Sequence, residues 1–378
     1  MTVRTNRTGN AILRIAAAAL AHCPGGRRAP QPASILVVRL GNVGDIVVAL
    51  PAFHALRKLY PKARLTLLSS PTARGAPGAQ EVLANDPTFD DIIVYYADQS
   101  RRPDFINTLR NRIAHFDIDL ALVLPNHLTR FRNLAKHLTL LWATGVRQVA
   151  GLRLVTPADY EIRQVDRLVR LLGELGPAEV EPLPWITPSD THLAQADRLL
   201  AACRDAPIVA MHCGAKRPAN RWAPDAFAEV GARLVAERGA WIALTGSTGE
   251  KALTAQVAAH IGTNCLDLSG QTSIGELAAV ARRCRVFVAN DTGAMHVAYA
   301  VGTPTVAIFG SRFYPNIWYP YGERQIVLRG EAECALCDDD VCALYEYPAC
   351  LAQVTPDRVL QAVYTLLSDS ATNTSTCV

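Results

Sequence analysis

The most constraining feature of this sequence is a series of short, continuous apolar runs separated by helix-sized intervals. Such runs are typical of parallel strands that are buried on both faces of a sheet. Because parallel strands need long crossovers, the alternation predicts α/β architecture with doubly wound parallel sheets. The predicted strands are Ile35–Val38, Arg64–Leu68, Asp91–Tyr95, Leu120–Leu124, Val149–Leu152, Ile208–His212, Trp241–Thr245, Asn264–Leu268, Val286–Ala289 and Thr305–Phe309.

Length and a proline-rich segment together predict two domains. The chain has 378 residues, half of them hydrophobic, which is enough for two cores of ordinary size. Four prolines between 177 and 188 disfavour helix and favour an extended linker. We therefore predict a Rossmann-like domain over 34–177, a linker over 178–190, a second Rossmann-like domain over 191–355, a C-terminal helix over 356–368 and a disordered tail over 369–378.

The positive charge of the chain is concentrated at its start. Residues 1–33 contain five arginines and no acidic residue, whereas the whole chain has a net charge of only +4. The remainder is therefore close to neutral and has no nucleic-acid signature. Arg14 interrupts the apolar run Ala11–Ala21, which is too short to span a membrane and makes a poor secretory signal. We expect 1–33 to be a disordered basic arm, with a helix on a membrane surface as the alternative.

A polar turn between 290 and 296 is the clearest candidate for a binding site. The apolar run ending at Ala289 is followed by Asn-Asp-Thr-Gly and then by an apolar helical pattern. Asp291, Thr292 and Gly293 would then lie at a helix N-terminus, where free N–H groups and the helix dipole favour an anion such as a pyrophosphate. His296 follows one helical turn later and is predicted to point at the same ligand.

A second polar turn follows the first predicted strand. Ile35–Val38 leads into Arg-Leu-Gly-Asn-Val-Gly-Asp, and the glycines permit a tight turn. Asp45 lies at the start of a long apolar-periodic pattern that predicts a helix over Ile46–Tyr60. A carboxylate at this point faces the carboxyl edge of the sheet, although a plain helix cap is the alternative interpretation.

Together these motifs resemble the glycosyltransferase family that includes the lipopolysaccharide heptosyltransferases. The resemblance covers roughly Ser34 to Leu367 and lies in Gly44-Asp45-Ile46 with Leu50-Pro51, Asn220-Arg221-Trp222, Leu244-Thr245-Gly246 with Glu250, and Asn290-Asp291-Thr292-Gly293 with His296 and Gly302-Thr303-Pro304-Thr305. It implies a GT-B fold, in which two Rossmann-like domains face each other across a cleft. The last helix, 356–368, is then expected to cross back onto the first domain.

The resemblance also implies a reaction. A sugar, expected to be heptose from ADP-heptose, moves from a nucleotide diphosphate to a hydroxyl of a lipopolysaccharide core or related glycan. Asp45 matches the family's general base, and attack opposite the leaving group predicts inversion at the sugar carbon. Helix ends and basic residues would hold the diphosphate, so neither a metal ion nor a cofactor is expected.

The donor-binding residues carried over from the family all fall in the second predicted domain. They are Gly214 and Ala215 after the first strand of that domain, Lys216 and Arg221 for the diphosphate, Glu250 for the ribose, Thr272 near the base, and Asp291, Thr292, Gly293 and His296 for phosphate and sugar. Asp291 is expected to accept a hydrogen bond from a sugar hydroxyl, because a carboxylate repels phosphate. The family's usual lysine is replaced by Asn220, so Arg221 or Lys216 would supply its charge.

Four cysteines cluster at the end of the second predicted domain. Cys334, Cys337, Cys342 and Cys350 include a Cys-x-x-Cys pair, and their role is open between structural thiols or disulfides, a metal site and redox control. The other six are scattered, as expected for reduced thiols in a cytosolic protein.

Acceptor contacts are expected in the loops Ser70–Asp86 and Pro125–Arg132 of the first domain, because such loops vary freely on one scaffold. The predicted partners are a nucleotide-diphosphate sugar and a glycan or glycolipid, and the predicted location is the cytoplasm, with peripheral contact at the inner membrane. Three alternatives stay open: a non-catalytic nucleotide-sugar-binding protein, a nicotinamide-dependent oxidoreductase, and a metal or redox sensor built on the cysteines. The second lacks Gly-x-Gly-x-x-Gly after the first strand.

Overall fold

The computed structural model describes residues 31–71, 73–125, 141, 145–146, 148–151, 157–334, 336–337, 341–342 and 348–372. Most of the predicted basic arm, most of the predicted acceptor loop 125–132, and the end of the predicted tail lie outside these residues. The chain divides into two compact units between Glu181 and Pro182, within the segment 178–190 that the sequence predicts as a linker. The short segment Glu81–Asn85 groups with the second unit.

The first unit is built on a five-stranded parallel sheet. Its strands, in the order β3-β2-β1-β4-β5, are β1 Ser34–Val38, β2 Arg64–Ser69, β3 Asp91–Val94, β4 Leu120–Val123 and β5 Val149–Ala150. The helices over this part of the chain are α1 Val43–Val47, α2 Leu50–Leu59, α3 Ala79–Val82, α4 Phe105–Ala114 and α5 Gln164–Leu171. All five residues of β1 are buried, which explains its unbroken apolar sequence.

The second unit is built on a six-stranded parallel sheet. Its strands, in the order β11-β10-β9-β6-β7-β8, are β6 Ile208–His212, β7 Trp241–Thr245, β8 Cys265–Asp267, β9 Val286–Asn290, β10 Thr305–Phe309 and β11 Gln325–Arg329. The helices are α6 Asp190–Leu199, α7 Pro224–Arg238, α8 Lys251–Ile261, α9 Ile274–Arg283, α10 Gly293–Ala300, α11 Ala349–Ala352 and α12 Pro356–Thr372.

The ten predicted strands are all present, with shifts at their ends. The structure adds an eleventh, β11, which pairs with β10 at the edge of the second sheet. Each residue of β11 is only half-buried, so its sequence has no run as apolar as those of the inner strands. The prediction that Thr305–Phe309 is the last strand is therefore wrong.

The helix predicted over Ile46–Tyr60 is also wrong in detail. It begins earlier, at Val43, and is interrupted between α1 and α2. Pro51 stands in the first turn of α2 and has no N–H to donate back to the preceding turn. The interruption makes α1 a separate five-residue helix that belongs to the polar turn before it.

Both sheets have a topological switch point, where the strand order reverses direction. In the first unit it lies between β1 and β4, and in the second between β9 and β6. Connections leave the two strands on opposite sides at such a point, which opens a crevice at their carboxyl ends. Ligands bind there in open α/β sheets, so functional residues are expected at these two switch points.

The C-terminal helix belongs to the second unit. The side chains of Val359, Leu360, Val363 and Leu366 are nearly or fully buried in one core with those of β6 and β9. Just before the helix, the Val354 carbonyl accepts a 2.8 Å hydrogen bond from the Trp222 indole. The apolar face of this helix therefore completes the second core, and its packing on the first domain stays a prediction. It also runs to Thr372, past the predicted end at 368.

No helix among the described residues is both long enough and apolar enough to cross a membrane.

The packing of α12 can be tested by one large-to-small substitution. Leu360→Ala should lower the free energy of unfolding of the second unit by about 2–5 kcal/mol, because a buried Leu truncated in a close-packed core leaves a cavity. Denaturant unfolding followed by tryptophan fluorescence measures the change, since Trp222 lies in the same core. The control Gln361→Ala, at an exposed position of the same helix, should change stability by less than about 0.5 kcal/mol.

Candidate functional site

The predicted donor-binding residues lie along the carboxyl edge of the second sheet, which we call the donor edge. Gly214 and Ala215 follow β6, Glu250 ends a short 3₁₀ turn after β7, and Asp291 directly follows β9. Thr272, half-buried, follows β8 and precedes Ser273, the residue that caps α9. Since β9, β6, β7 and β8 are neighbours in that order, the sheet brings these loops side by side.

A fully buried amide holds the two loops at the switch point together. The side chain of Asn290 donates hydrogen bonds to the carbonyls of Cys213, at 2.8 Å, and Gly214, at 3.3 Å. Its oxygen accepts a hydrogen bond from the main-chain N–H of Trp222 at 3.0 Å. One side chain at the end of β9 therefore fixes the start of the β6 loop and the start of helix α7.

Asn220 interacts directly with Asp291. Its amide donates to the Asp291 carbonyl at 3.2 Å and to the carboxylate oxygen Oδ2 at 3.1 Å. The Asn220 amide therefore orients this carboxylate without adding a charge.

Helix α10 begins at the switch point with its N-terminus on the donor edge. Thr292 is its N-cap, in an extended conformation and with no side-chain hydrogen bond to the helix. In an α-helix the first N–H groups have no partner within the helix, and the dipole makes this end positive. The Asp291–Gly293 turn therefore has the features of an anion-binding site that the sequence predicts.

Glu250 is held against the backbone of the β6 loop. Its carboxylate accepts hydrogen bonds from the Ser247 N–H at 2.7 Å and the Ser247 hydroxyl at 2.8 Å. A Cβ on Gly214 would collide with this carboxylate, so glycine is required there by close approach. Burial opposes ionisation of Glu250, but the facing His212, the bonds from Ser247 and the charge of Arg221 together lower its pKa.

Three cationic side chains, those of Lys216, Arg217 and Arg221, lie on the loop after β6, and the sequence predicts that Lys216 and Arg221 bind the donor. Arg221 is half-buried, and its Nε donates to the Ala215 carbonyl at 2.9 Å. This bond orients the guanidinium near Glu250, whose pKa its charge helps to lower. Lys216 is exposed on the same loop. Arg221 is therefore the better positioned of the two candidates for binding a diphosphate.

Two histidines of the second unit are buried, and both are neutral at physiological pH. Burial lowers the pKa of His212 against the opposing effect of Glu250, whose Oε2 lies 4.0 Å from Nε2. The other nitrogen of His212 lies 3.0 Å from the Thr245 hydroxyl. Burial lowers the pKa of His296 to about 3, and its Nδ1 lies 3.2 Å from the Tyr299 hydroxyl. A neutral His296 can donate one hydrogen bond, but it brings no positive charge to the donor edge.

In the first unit, the candidate base belongs to the turn of residues 39–45, which we call the Asp45 turn. Asp45 is the third residue of α1, and its Oδ2 accepts the Asn42 N–H at 2.9 Å in a capping box. Asn42 is thus the cap residue, and Asp45 stabilises the same helix start reciprocally. The Asp45 side chain is 21% exposed, so capping does not remove it from solvent.

The glycine of the Asp45 turn is required by its backbone and by its neighbour. Gly41 has φ +137°, a conformation that L side chains rarely adopt, and a Cβ there would collide with the Asp45 side chain. The Gly41 N–H donates to the Ser70 carbonyl at 3.0 Å, which joins the turn to the end of β2. The carboxylate therefore lies directly against the main chain of its own turn.

The eight described cysteines form no disulfide. No three histidine, cysteine or acidic side chains in the described part of the chain lie close enough to hold a metal ion. Cys334, Cys337 and Cys342 are half-buried and Cys350 is buried. Burial raises the pKa of Cys203 and of Cys265 to about 11, so these thiols stay protonated.

Sequence reasoning did not assign roles to several residues that shape these sites. His212, Asn220, Ser247 and Asn290 hold the donor edge, and Arg39 supports the Asp45 turn. Their place in the sequence could have indicated two of them, because His212 and Asn290 are the last residues of buried parallel strands. A polar residue in that place either faces the ligand crevice or fixes the loops around it.

The chain matches known proteins over much of its length. The family model described as glycosyltransferase family 9 (heptosyltransferase) matches residues 107–347, well over half of the chain. Lipooligosaccharide heptosyltransferase 2 of Haemophilus ducreyi is 30% identical over 182 residues, which is 45% of this chain and 50% of that protein. The chain thus spans about half the length of the curated relatives that it matches.

Two solved structures resemble the chain over nearly its whole length. The glycosyl transferase family 9 protein of Veillonella parvula has a TM-score of 0.72 at 22% identity, covering 89% of this chain and 97% of that one. The E. coli ADP-heptose lps heptosyltransferase II has a TM-score of 0.67 at 22% identity, covering 89% and 99%. These similarities confirm the predicted fold class, a GT-B fold with two parallel-sheet α/β domains.

The role of Asn290 predicts the effect of an isosteric charge change. Asn290→Asp replaces the donating amide by a carboxylate that faces the carbonyls of Cys213 and Gly214. The variant should lose at least about 2 kcal/mol of stability, because each buried carbonyl left without a donor costs about 1–3 kcal/mol. Thermal unfolding measures the loss. Asn264→Asp, just before β8 at the opposite edge of the same sheet, is the control and should change stability little.

The pKa of His296 predicts a protonation experiment. In the ¹³C-histidine NMR spectrum, the His296 signal is the one that disappears in His296→Gln. Its chemical shift should remain that of a neutral imidazole from about pH 8 to about pH 4.5. Because its folded pKa of about 3 lies below the unfolded value of 6.5, the folded chain binds fewer protons in this interval. His296 thus makes stability fall as the pH drops from 6.5 toward 3. A titration midpoint above about pH 5 would contradict the assigned burial.

Proposed function

Because this chain belongs to glycosyltransferase family 9, we propose that it is an inverting heptosyltransferase. The donor is ADP-heptose, the acceptor is a hydroxyl of a lipopolysaccharide core or a related glycan, and Asp45 is the general base. The observation that carries this proposal is the donor edge, where the N-terminus of α10 and the carboxylate of Glu250 flank the loop after β6. These groups suit the two ends of a nucleoside diphosphate.

On the donor edge, each contact has a chemical counterpart in the nucleotide sugar. The first N–H groups of α10 and the Arg221 guanidinium are donors for the diphosphate, whereas the Asp291 N–H already donates to the Ile308 carbonyl at 3.1 Å. The Glu250 carboxylate accepts from ribose hydroxyls, and Thr272 lies toward the base. Asp291, oriented by Asn220, accepts from a sugar hydroxyl, and neutral His296 donates to the sugar or the phosphate.

The proposed chemistry balances without any covalent intermediate. Asp45 takes the proton from the acceptor hydroxyl as its oxygen forms a bond to the anomeric carbon of heptose. The bond between that carbon and the diphosphate oxygen breaks, and its electron pair leaves with ADP. Attack opposite the leaving group inverts the configuration. Arg221, Lys216 and the N-terminus of α10 stabilise the charge that grows on the diphosphate.

Metal-independent transfer is part of the proposal. Its support is the set of protein groups that already complement a diphosphate, namely a helix N-terminus and two cationic side chains on one edge of the sheet. A bound Mg²⁺ performs the same neutralisation in other enzymes, so the two mechanisms respond differently to a chelator. Turnover that survives dialysis against EDTA supports the proposal, and loss that Mg²⁺ restores contradicts it.

The acceptor and the location follow from the same reaction. We assign the acceptor loops to 70–86 and 125–132, and Ser70, at the start of the first loop, adjoins the Asp45 turn through the Gly41 bond. Nucleotide sugars are made in the cytosol and core glycans are carried on lipid. The proposed location is therefore the cytoplasm, with peripheral contact at the inner face of the membrane.

General-base catalysis and donor binding can be separated by substitution. Asp45→Asn should reduce kcat with ADP-heptose and a truncated lipopolysaccharide acceptor by about 10²–10⁴-fold, because a general base contributes that much. The affinity for ADP, measured by calorimetry, should stay within about twofold of wild type. Asp291→Ala should weaken binding of ADP-heptose by at least about tenfold, since a hydrogen bond to a charged group is lost.

Asp166→Asn is a matched control for the base. Asp166 is the third residue of α5, so it occupies the same helical position as Asp45 in α1. Its removal should leave kcat within about twofold of wild type. Wild-type turnover in Asp45→Asn would refute the base assignment. Binding of a nicotinamide dinucleotide with no binding of any nucleotide sugar would refute the transferase assignment as a whole.

A further inference from the structure

Arg39 is the bulkiest side chain that is fully buried among the described residues. It follows β1 directly and opens the Asp45 turn. Burial lowers the pKa of Arg39 to about 10, although Asp45 opposes the shift, so the guanidinium is charged at neutral pH. Burying a cation is costly unless its donors are satisfied, and an apolar side chain of similar volume would fill this space at lower cost.

The guanidinium bonds to main chain at two separate places. Its Nε and Nη2 donate to the Asp45 carbonyl at 2.9 and 2.7 Å. Its Nη1 donates to the carbonyls of Leu124 and Pro125 at 3.2 and 2.8 Å. The Asp45 carboxylate oxygen Oδ1 lies 3.9 Å from Nη2. Arg39 thus joins the main chain of Asp45 to the residues that directly follow β4.

These two places lie on opposite sides of the switch point. Strands β1 and β4 are neighbours, with Val38 beside Val123, but the sequence separates them by more than eighty residues. Only the guanidinium fork of an arginine can bond a carbonyl with two N–H groups on one side and further carbonyls on the other. A lysine at this position would keep the charge and lose part of this geometry.

A second buried guanidinium fixes the far end of this connection. Arg167, on α5, donates from Nη2 to the Pro125 carbonyl at 3.2 Å, and Gln164 donates to the same oxygen at 3.2 Å. Gln164 also accepts from Arg167 Nε at 3.0 Å. The Pro125 carbonyl therefore receives three donors from three side chains, so Arg39 is attached to a point that is itself immobilised.

We propose that Arg39 is a positioning residue for Asp45, which holds the carboxylate at the switch point by fixing its main chain to the end of β4. The proposal rests on the proposed function, in which Asp45 is the base. A misplacement of about 1 Å in a reacting group can reduce turnover by about 10²-fold. Arg39 therefore acts on catalysis through Asp45, without contacting the donor.

The test compares Arg39→Met and Arg39→Lys with wild type in the transferase assay. Arg39→Met should reduce kcat by about 10²-fold, and Arg39→Lys by about tenfold, because the ammonium retains the charge and some of the bonds. The KM for ADP-heptose and the affinity for ADP should stay within about twofold of wild type. In Arg39→Ala, added guanidinium should restore part of the lost kcat, whereas added methylammonium should restore less.

Arg57 offers a matched control in the same unit. Its guanidinium also donates to main-chain carbonyls, those of Ala63 and Thr88, but these precede β2 and β3 at the opposite edge of the sheet. Arg57→Met removes a similar set of bonds without touching the Asp45 turn. Its melting temperature should fall while its kcat stays within about twofold of wild type.

The outcomes separate the positioning role from the proposed function. Wild-type kcat in folded Arg39→Met, while Asp45→Asn is inactive, overturns the positioning role and leaves the function standing. Wild-type kcat in Asp45→Asn overturns the function. If Arg39→Met does not fold, Arg39→Lys decides: a lower kcat with unchanged donor affinity supports the role, and an unchanged kcat refutes it. Equal losses of kcat in Arg57→Met and Arg39→Met would also refute it.

Discussion

In each unit, one buried polar side chain connects the two strands that flank the switch point. The loops that follow these strands run in opposite directions, so no single loop connects their carboxyl ends. Arg39, after β1, donates to carbonyls after β4, and Asn290, at the end of β9, donates to carbonyls after β6. Neither side chain is exposed. The geometry of each candidate site therefore depends on a side chain whose hydrogen bonds go to main chain.

Each unit also places a candidate functional carboxylate against a glycine. Asp45 lies against Gly41, and Glu250 lies against Gly214, so closely that a Cβ at either glycine would collide with the carboxylate. Each carboxylate also accepts an N–H from a residue three positions earlier in a capping box. Few rotamers remain for a side chain held on both sides. The glycines are thus as necessary to these positions as the acids themselves.

These arrangements explain what the sequence could and could not predict. The inner strands were predictable because strands buried on both faces have continuous apolar sequences, whereas Gln325–Arg329 is half-buried and escaped detection. The interruption before Pro51 was predictable, because proline has no N–H to donate to the preceding helical turn. The long apolar-periodic pattern instead favoured one continuous helix. The connections made by Arg39 and Asn290 were not predictable. A polar residue at a strand end has the same sequence signature whether it faces a ligand or a neighbouring carbonyl.

Charge is the remaining constraint on the donor edge. Neither His212 nor His296 is charged at neutral pH, because burial lowers the pKa of both, and the Asn220 amide is neutral. Two carboxylates, Asp291 and Glu250, lie on the same edge and would repel a diphosphate on their own. Binding a diphosphate there requires positive charge. The donor edge supplies it through the cationic side chains of the loop after β6 and through the N-terminus of α10. Because Arg221 is bonded to the Ala215 carbonyl and half-buried, its charge is held in place and is screened less than a surface charge.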